Sequence, residues 1–231
     1  MSENAEAATV PLDVEPDERR VSYAQVGQDI YLDFLLKGAR RTKGPGFYVD
    51  VGCAWPKLWS NTYFFYKRNW RGICVDANPA MEEPFKRDRP RDVYVNCGIS
   101  DVEGSAPFYL FAHPKFNTFD SARAEAFKET TDRNRKPLGS VNVPIRSLTS
   151  VLDQHLPPGQ EIDLLSIDVE NLELQVLNSL DLDRYRPAVI VAELMASIQQ
   201  VLGCPVYKLL GSKGYRLIAH TGHDAFFVLR R

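Results

Sequence analysis

Four short apolar runs, at 47–51, 70–76, 162–168 and 188–193, each carry an acid at or beside their carboxyl end: Asp50, Asp76, Asp168 and Glu193. Runs this short, rich in β-branched and aromatic residues, read as buried strands, and helical patterns lie between them. Strands alternating with helices fold as an α/β doubly wound sheet, which takes up ligands outside the carboxyl ends of its strands. The four acids would line one cleft, with charge suited to a cationic or hydroxyl-rich ligand. The first run sits in GFYVDVG, Gly46 to Gly52, where Gly52 has no Cβ to keep a ligand from the backbone. The second, WRGICVD, ends on Asp76, an acid placed to accept hydrogen bonds from both hydroxyls of a ribose. No GxGxxG follows the first strand, which sets aside a nicotinamide dehydrogenase.

Residues 1–20 are rich in Glu, Ala, Asp and Pro with few large apolar groups, and are expected to form a disordered N-terminal tail. Residues 21–231 are expected to form a single domain. Tyr23, Val26, Ile30, Phe34 and Leu35 recur at helical spacing, with Ser22 as N-cap and with Gln25, Gln28 and Asp29 near the helix start. Further helices are expected at 60–68, 78–87, 148–155, 172–180 and 197–211. Further strands are expected at 93–96, 104–111 and 141–145, with a closing hairpin from 215–219 and 225–229. The order falters at 112–140, which is read as an insertion acting as a lid or acceptor-contacting loop.

A formal net charge of −2 gives no broad electrostatic footprint for nucleic acid. The four cysteines, Cys53, Cys74, Cys97 and Cys204, form no CxxC and read as buried reduced thiols. No apolar run reaches the roughly 18 residues of a membrane span, and no signal-peptide core is present. A soluble, cytoplasmic protein is the expectation, with no membrane partner and with a homo-oligomer left open.

GFYVDVG, SNTYFFYKRNWRGICVDANP, NCGISD, IDLLSIDVENLELQVL and IVAEL, in that order, together resemble the FkbM-type methyltransferases, a branch of the S-adenosylmethionine-dependent Rossmann-like enzymes. SYAQVGQD, at Ser22 to Asp29, resembles the polar start these proteins carry before the first strand. The resemblance implies the class I methyltransferase architecture, a seven-stranded sheet whose last strand is antiparallel. It implies methyl transfer from S-adenosylmethionine to an oxygen of a small-molecule or carbohydrate acceptor. By the same resemblance Asp50 and Gly52 hold the methionine end of the cofactor, Asp76 binds the ribose, and Ala77 and Asn78 lie beside the adenosine. Ser100 and Asp101 border the adenine, Gln25, Gln28 and Asp29 close over the cofactor, and Asp168, Val169 and Glu170 face the transferred methyl. Two departures stand out: Asn171 replaces the glycine of a DVEG motif, and Cys53-Ala54-Trp55-Pro56 replaces a loop of smaller or histidine residues.

A sulfonium methyl is already activated, whereas an alcohol is a poor nucleophile that needs a general base or a metal. Asp168, Glu170 and Glu193 are the candidates for the base, or for oxygen ligands of Mg2+. The expected reaction is O-methylation of a sugar or secondary metabolite. The alternatives are an N-methyltransferase on a small molecule and a non-catalytic cofactor-binding module of the same fold. Trp55, Trp59, Phe116 and Phe119 are read as core in preference to an acceptor wall, and His113 as a loop residue.

Overall fold

The computed structural model describes residues 20–40 and 43–230; the expected N-terminal tail, apart from Arg20, lies outside the described residues. The four acid-bearing runs form the middle of a sheet, as β1 (Phe47–Val51), β2 (Arg71–Asp76), β7 (Leu164–Ile167) and β8 (Val189–Glu193). With β3 (Val93–Asn96), β9 (Tyr215–His220) and β10 (Asp224–Leu229) they build a seven-stranded sheet of order β3-β2-β1-β7-β8-β10-β9. Neighbours from β3 to β8 pair in parallel, while β10 runs antiparallel to both β8 and β9. This is the doubly wound sheet with an antiparallel last strand.

Period-two alternation sends the sheet's side chains to two cores. Phe47, Val49 and Val51 join Ile73, Leu165 and Ile190 under α5 (Leu148–His155), α6 (Glu173–Asn178), α7 (Ile198–Gly203) and α8 (Pro205–Ser212). Tyr48, Cys74, Leu164 and Val191 face the other way, under α1 (Gln28–Ala39), α2 (Tyr63–Tyr66) and α3 (Glu82–Asp88). Each fully buried Leu, Ile or Phe contributes roughly 1.5–3 kcal/mol of transfer free energy, so the two cores hold the sheet rigid.

The strands expected at 104–111 and 141–145 pair with each other, and the second of them begins earlier than expected, at Pro137. A second, three-stranded sheet has β6 (Pro137–Arg146) at its centre, antiparallel to β5 (Gly104–Phe111) and parallel to the two-residue β4 (Gly98–Ile99). Between β5 and β6 the chain makes short 3-10 turns and α4 (Ser121–Ala126). Phe108 and Val143 pack with Phe119 against Ala77, which seats the small sheet on the end of β2.

Four of the expected helices differ in the structure; the one expected at 78–87 opens as a 3-10 turn (Pro79–Met81) before α3. The first helix begins at Gln28, after Gly27 in left-handed geometry (φ 87°), and Ser22 does not cap it. The helix expected at 60–68 contracts to the single turn α2. The helix expected at 197–211 is two helices, because Pro205 forces Cys204 into extended geometry and supplies no N–H. All four cysteines are free, three of them buried. Among the described residues no helix is long and apolar enough to cross a membrane.

Candidate active site

A cavity of about 540 Å³ opens at the carboxyl ends of β1, β2 and β7 and runs under the small sheet. Gln25, Gly52, Asp76, Ala77, Asn78, Asp168 and Glu170 line it, as do Trp55, Trp59 and the segment from Cys97 to Ile99. Its size is that of a small-molecule site.

Asp76 ends β2 with both carboxylate oxygens engaged: Oδ2 accepts from the Ala54 amide (2.8 Å) and Oδ1 from the Asn78 amide (2.8 Å). Each oxygen keeps a lone pair for a ligand. Burial pushes its pKa up, opposed by those two amides. Asn78 accepts from the Ala80 amide (3.1 Å), fixing the turn that leaves β2. Gly52 lines the cavity, but its geometry is set by protein: a Cβ there would lie 1.7 Å from the Asp168 carbonyl oxygen, and φ is +80°. The close approach that demands glycine in this structure is to the end of β7.

Asp50 is corrected. It sits inside the paired part of β1, opposite Cys74 and Ser166, so its side chain takes the Tyr48 face and is not among the cavity's lining residues. There it accepts from Thr62 Oγ1 (2.5 Å). Thr62 accepts in turn from Arg89 Nη2 (2.9 Å), and Arg89 Nη1 donates to Ser60 Oγ and the Pro56 carbonyl (both 3.3 Å). Arg89 is 1% exposed and closes a 2.6 Å ion pair with the equally buried Asp92. This network fastens the loop after β1, including residues 56–62, to the underside of the sheet. Burial raises the Asp50 pKa, and the Arg89 charge pulls it back.

Gln28 and Asp29 also stand apart from the wall: both are buried and neither lines the cavity. Asp29 accepts from Ser22 Oγ and the Tyr23 amide (both 2.6 Å), folding the 22–29 segment into a turn that presents Gln25 to the cavity. Gln28 Nε2 donates to Asp224 Oδ2 (2.8 Å), anchoring that turn to β10. Ser100 and Asp101 lie beyond the wall, where Ser100 Oγ donates to Asp101 (3.2 Å); Cys97, Gly98 and Ile99 occupy the place expected of them.

At the far end, Asp168 leaves β7 beside Glu193, which ends β8 and stands opposite Asp224 in the register of β10. Burial raises the Asp168 pKa well above the carboxylate range, and the charges of Glu193, Glu170 and Asp224 push it further. The pKa of Glu193 is likewise raised by burial, and among the neighbouring charges that of Glu193 acts most strongly on Asp168. With left-handed φ values at Glu170 (57°) and Asn171 (76°), Glu170 pairs with Arg123 of α4 at 2.9 Å, and both side chains stand at the cavity wall. Asn171 thus does the work of the missing glycine, since asparagine tolerates this geometry. Among the described residues no three His, Cys, Asp or Glu are placed to hold a metal ion, so the expected Mg2+ set of Asp168, Glu170 and Glu193 is not assembled.

The family model for the methyltransferase FkbM domain matches residues 38–217. The chain belongs to the FkbM methyltransferase family. No curated protein matches it in sequence. Solved structures similar to this FkbM-family chain include a precorrin-6y C5,15-methyltransferase from Geobacter metallireducens, 12% identical over 94% of this chain and 97% of that one, with a TM-score of 0.46. Others are the O-methyltransferase from Bacillus cereus in complex with SAH (11%, 91% and 83%, 0.45) and the 1,6-didemethyltoxoflavin-N1-methyltransferase from Burkholderia thailandensis (10%, 88% and 75%, 0.43). The family match, and not these distant likenesses, bears on function.

For an FkbM-family chain the aromatic wall is the alternative that the sequence reading ranked second to core. Trp55, Trp59 and Phe119, taken as core, line the cavity, and the His113 ring meets both tryptophans. Trp59 is 39% exposed and its backbone is left-handed (φ 56°), which a bulky side chain rarely adopts. The available signal was the pair of tryptophans four residues apart in a loop leaving a strand.

Proposed function

We propose that this FkbM-family methyltransferase uses S-adenosylmethionine to methylate a hydroxyl of a sugar or secondary metabolite. The observation that carries the reading is the span of one cavity from Asp76, at the end of β2, to Asp168, at the end of β7. The residues present fit the cofactor: a carboxylate with free lone pairs stands where a ribose would meet it, in a cavity of small-molecule size. Ala77, Asn78 and Cys97 to Ile99 would flank the base, and Gln25 and Gly52 the amino-acid end. When bound, S-adenosylmethionine supplies an electrophilic methyl on a positively charged sulfur.

The chain's own residues position the acceptor, keep water out and take its proton. Calorimetric titration with S-adenosylhomocysteine tests the first step. Asp76→Ala is expected to weaken binding by about ten- to a hundredfold, the size of a lost hydrogen bond to a charged group. Unchanged affinity would remove Asp76 from the site.

Asp168, beside Glu193, takes the acceptor proton. Because burial and neighbouring charge raise its pKa, the active ionised form appears only as pH rises above the ordinary carboxylate range. Methyl transfer is therefore expected to climb with pH along a single ionisation. Asp168→Asn should abolish that limb and lower kcat about a hundredfold. A nitrogen acceptor needs little base catalysis, so loss of less than about tenfold, with the pH limb intact, would sink the O-methylation reading in favour of an amine.

A further inference from the structure

We infer that the acceptor is a ring-bearing molecule that carries an oxyanion, a phosphate or a carboxylate, held face-on in an aromatic corner with its negative group on a cationic rim. The inference deepens the proposed function and rests on it.

Trp55 and Trp59 meet edge to face, centroids 5.3 Å apart and planes at 83°, and the His113 ring lies 29° from the Trp59 plane at 6.5 Å. Two indoles at a right angle offer one face to a ring and one wall to its edge. This geometry is held against a cost. Ala54 (φ 46°) and Trp59 (φ 56°) both sit in left-handed backbone, the second with a bulky, partly exposed side chain. Strain of that kind persists only where surrounding structure imposes it, and here the buried Arg89 bonds to the Pro56 carbonyl and Ser60 supply the fastening.

The charge comes from the insertion. Between residues 112 and 140 six Lys and Arg stand against four Asp and Glu, in a chain whose formal net charge is −2. Arg123, Lys128 and Arg135 are paired with Glu170, Glu125 and Asp132. Lys115, Arg133 and Lys136 have no ion pair among the described residues. Lys115 lines the cavity, its Nζ 4.9 Å from the centre of the Phe116 ring. The Ala112 amide donates to the Lys136 carbonyl (3.0 Å) and the His113 amide to the Asn134 carbonyl (2.9 Å), so the backbone of 133–136 runs beside the aromatic corner. Asp76, Asp120, Asp168 and Glu170 line the same cavity, so a negative group is favoured only at the rim, beside the unpaired cations and the aromatic wall.

The test uses the full chain saturated with S-adenosylhomocysteine, titrated by calorimetry with matched probes: glucose, glucose 1-phosphate and glucuronate, then phenol and 4-hydroxybenzoate. At least one anionic probe is expected to bind about tenfold or more tightly than its neutral partner, with the margin shrinking as salt is raised. The phosphate and carboxylate arms tell the two anions apart. Lys115→Ala with Lys136→Ala, both at exposed positions, should erase the margin. Trp59→Gly should weaken every ring probe without lowering Tm, because it removes the left-handed strain together with the ring. S-adenosylhomocysteine affinity should be unchanged in each variant. Equal binding of neutral and anionic probes, no binding of any probe, or a margin that survives the lysine changes overturns the inference. Failure of the parent chain to bind S-adenosylhomocysteine overturns the proposed function itself.

Discussion

Gly52→Ala is expected to unfold the chain at a much lower urea concentration, with a loss of about 4 kcal/mol or more. Two costs combine. A left-handed backbone costs an alanine roughly 1–2 kcal/mol, and φ at Gly52 is +80°. The larger cost is the collision, because the new Cβ would stand 1.7 Å from the Asp168 carbonyl oxygen. Neither strand can yield: the Gly52 amide donates to the Val75 carbonyl and the Asp168 amide to the Val51 carbonyl, both at 2.9 Å, in the middle of the sheet. Gly222→Ala separates the two, since that glycine is also left-handed (φ +90°) but has nothing within 4 Å of the Cβ position. It should lose only the roughly 1–2 kcal/mol of backbone strain. Equal losses in the two variants would mean that the β1 and β7 ends are not in contact as described.

Arg89→Met is the second large effect, at about 3–5 kcal/mol, because removing one partner of a buried ion pair leaves the other charge uncompensated. Asp92 would lose its 2.6 Å partner, and Thr62, Ser60 and the Pro56 carbonyl would lose donors. The sign of the pH dependence follows from Asp50. Its pKa is already raised by burial and is held back by Arg89. Without the guanidinium it rises further, and a carboxyl whose folded pKa is raised stabilises the fold below the ordinary carboxylate range and loses that contribution as pH climbs. The deficit of the variant should therefore be greater near pH 8 than near pH 5 when unfolding is compared at the two values. A deficit that does not change, or that shrinks toward high pH, would show that Asp50 does not feel Arg89.

The strands of the main sheet could be read from the sequence because each is a compact apolar run, and the acids at their ends mark the edge where the cavity opens. Orientation was harder. Asp50 and Asp76 look alike in sequence, yet Asp50 lies one residue inside its strand and turns to the face of Tyr48, while Asp76 is the last residue of its strand and reaches the cavity. The alternation of Tyr48 and Asp50 against Val49 and Val51 carries that information, but only once the strand's end is known. Asp29 could not be placed from periodicity, since its role is to gather the hydroxyl and amides of residues before the helix. The small sheet was half visible: β5 alternates, but its pairing with β6 crosses a long connection that no local pattern encodes. Trp55 and Trp59 were misassigned because an aromatic residue reads as core wherever it falls, and here buried polar groups beneath the loop, not apolar packing, decide its direction.

The hydrogen bond from Gln28 to Asp224 spans 196 residues of sequence. It joins the segment that delivers Gln25 to the strand inserted last between β8 and β9. Contacts so remote in sequence close late, because the loop entropy must be lost before they are made. During synthesis β1, β2 and β7 can pair while β10 is still absent, so the cleft takes shape before its N-terminal wall is anchored. Hydrogen exchange started during refolding is therefore expected to find the amides of residues 23 to 30 among the last to gain protection, the N-terminal wall of the cavity closing after its sheet has formed.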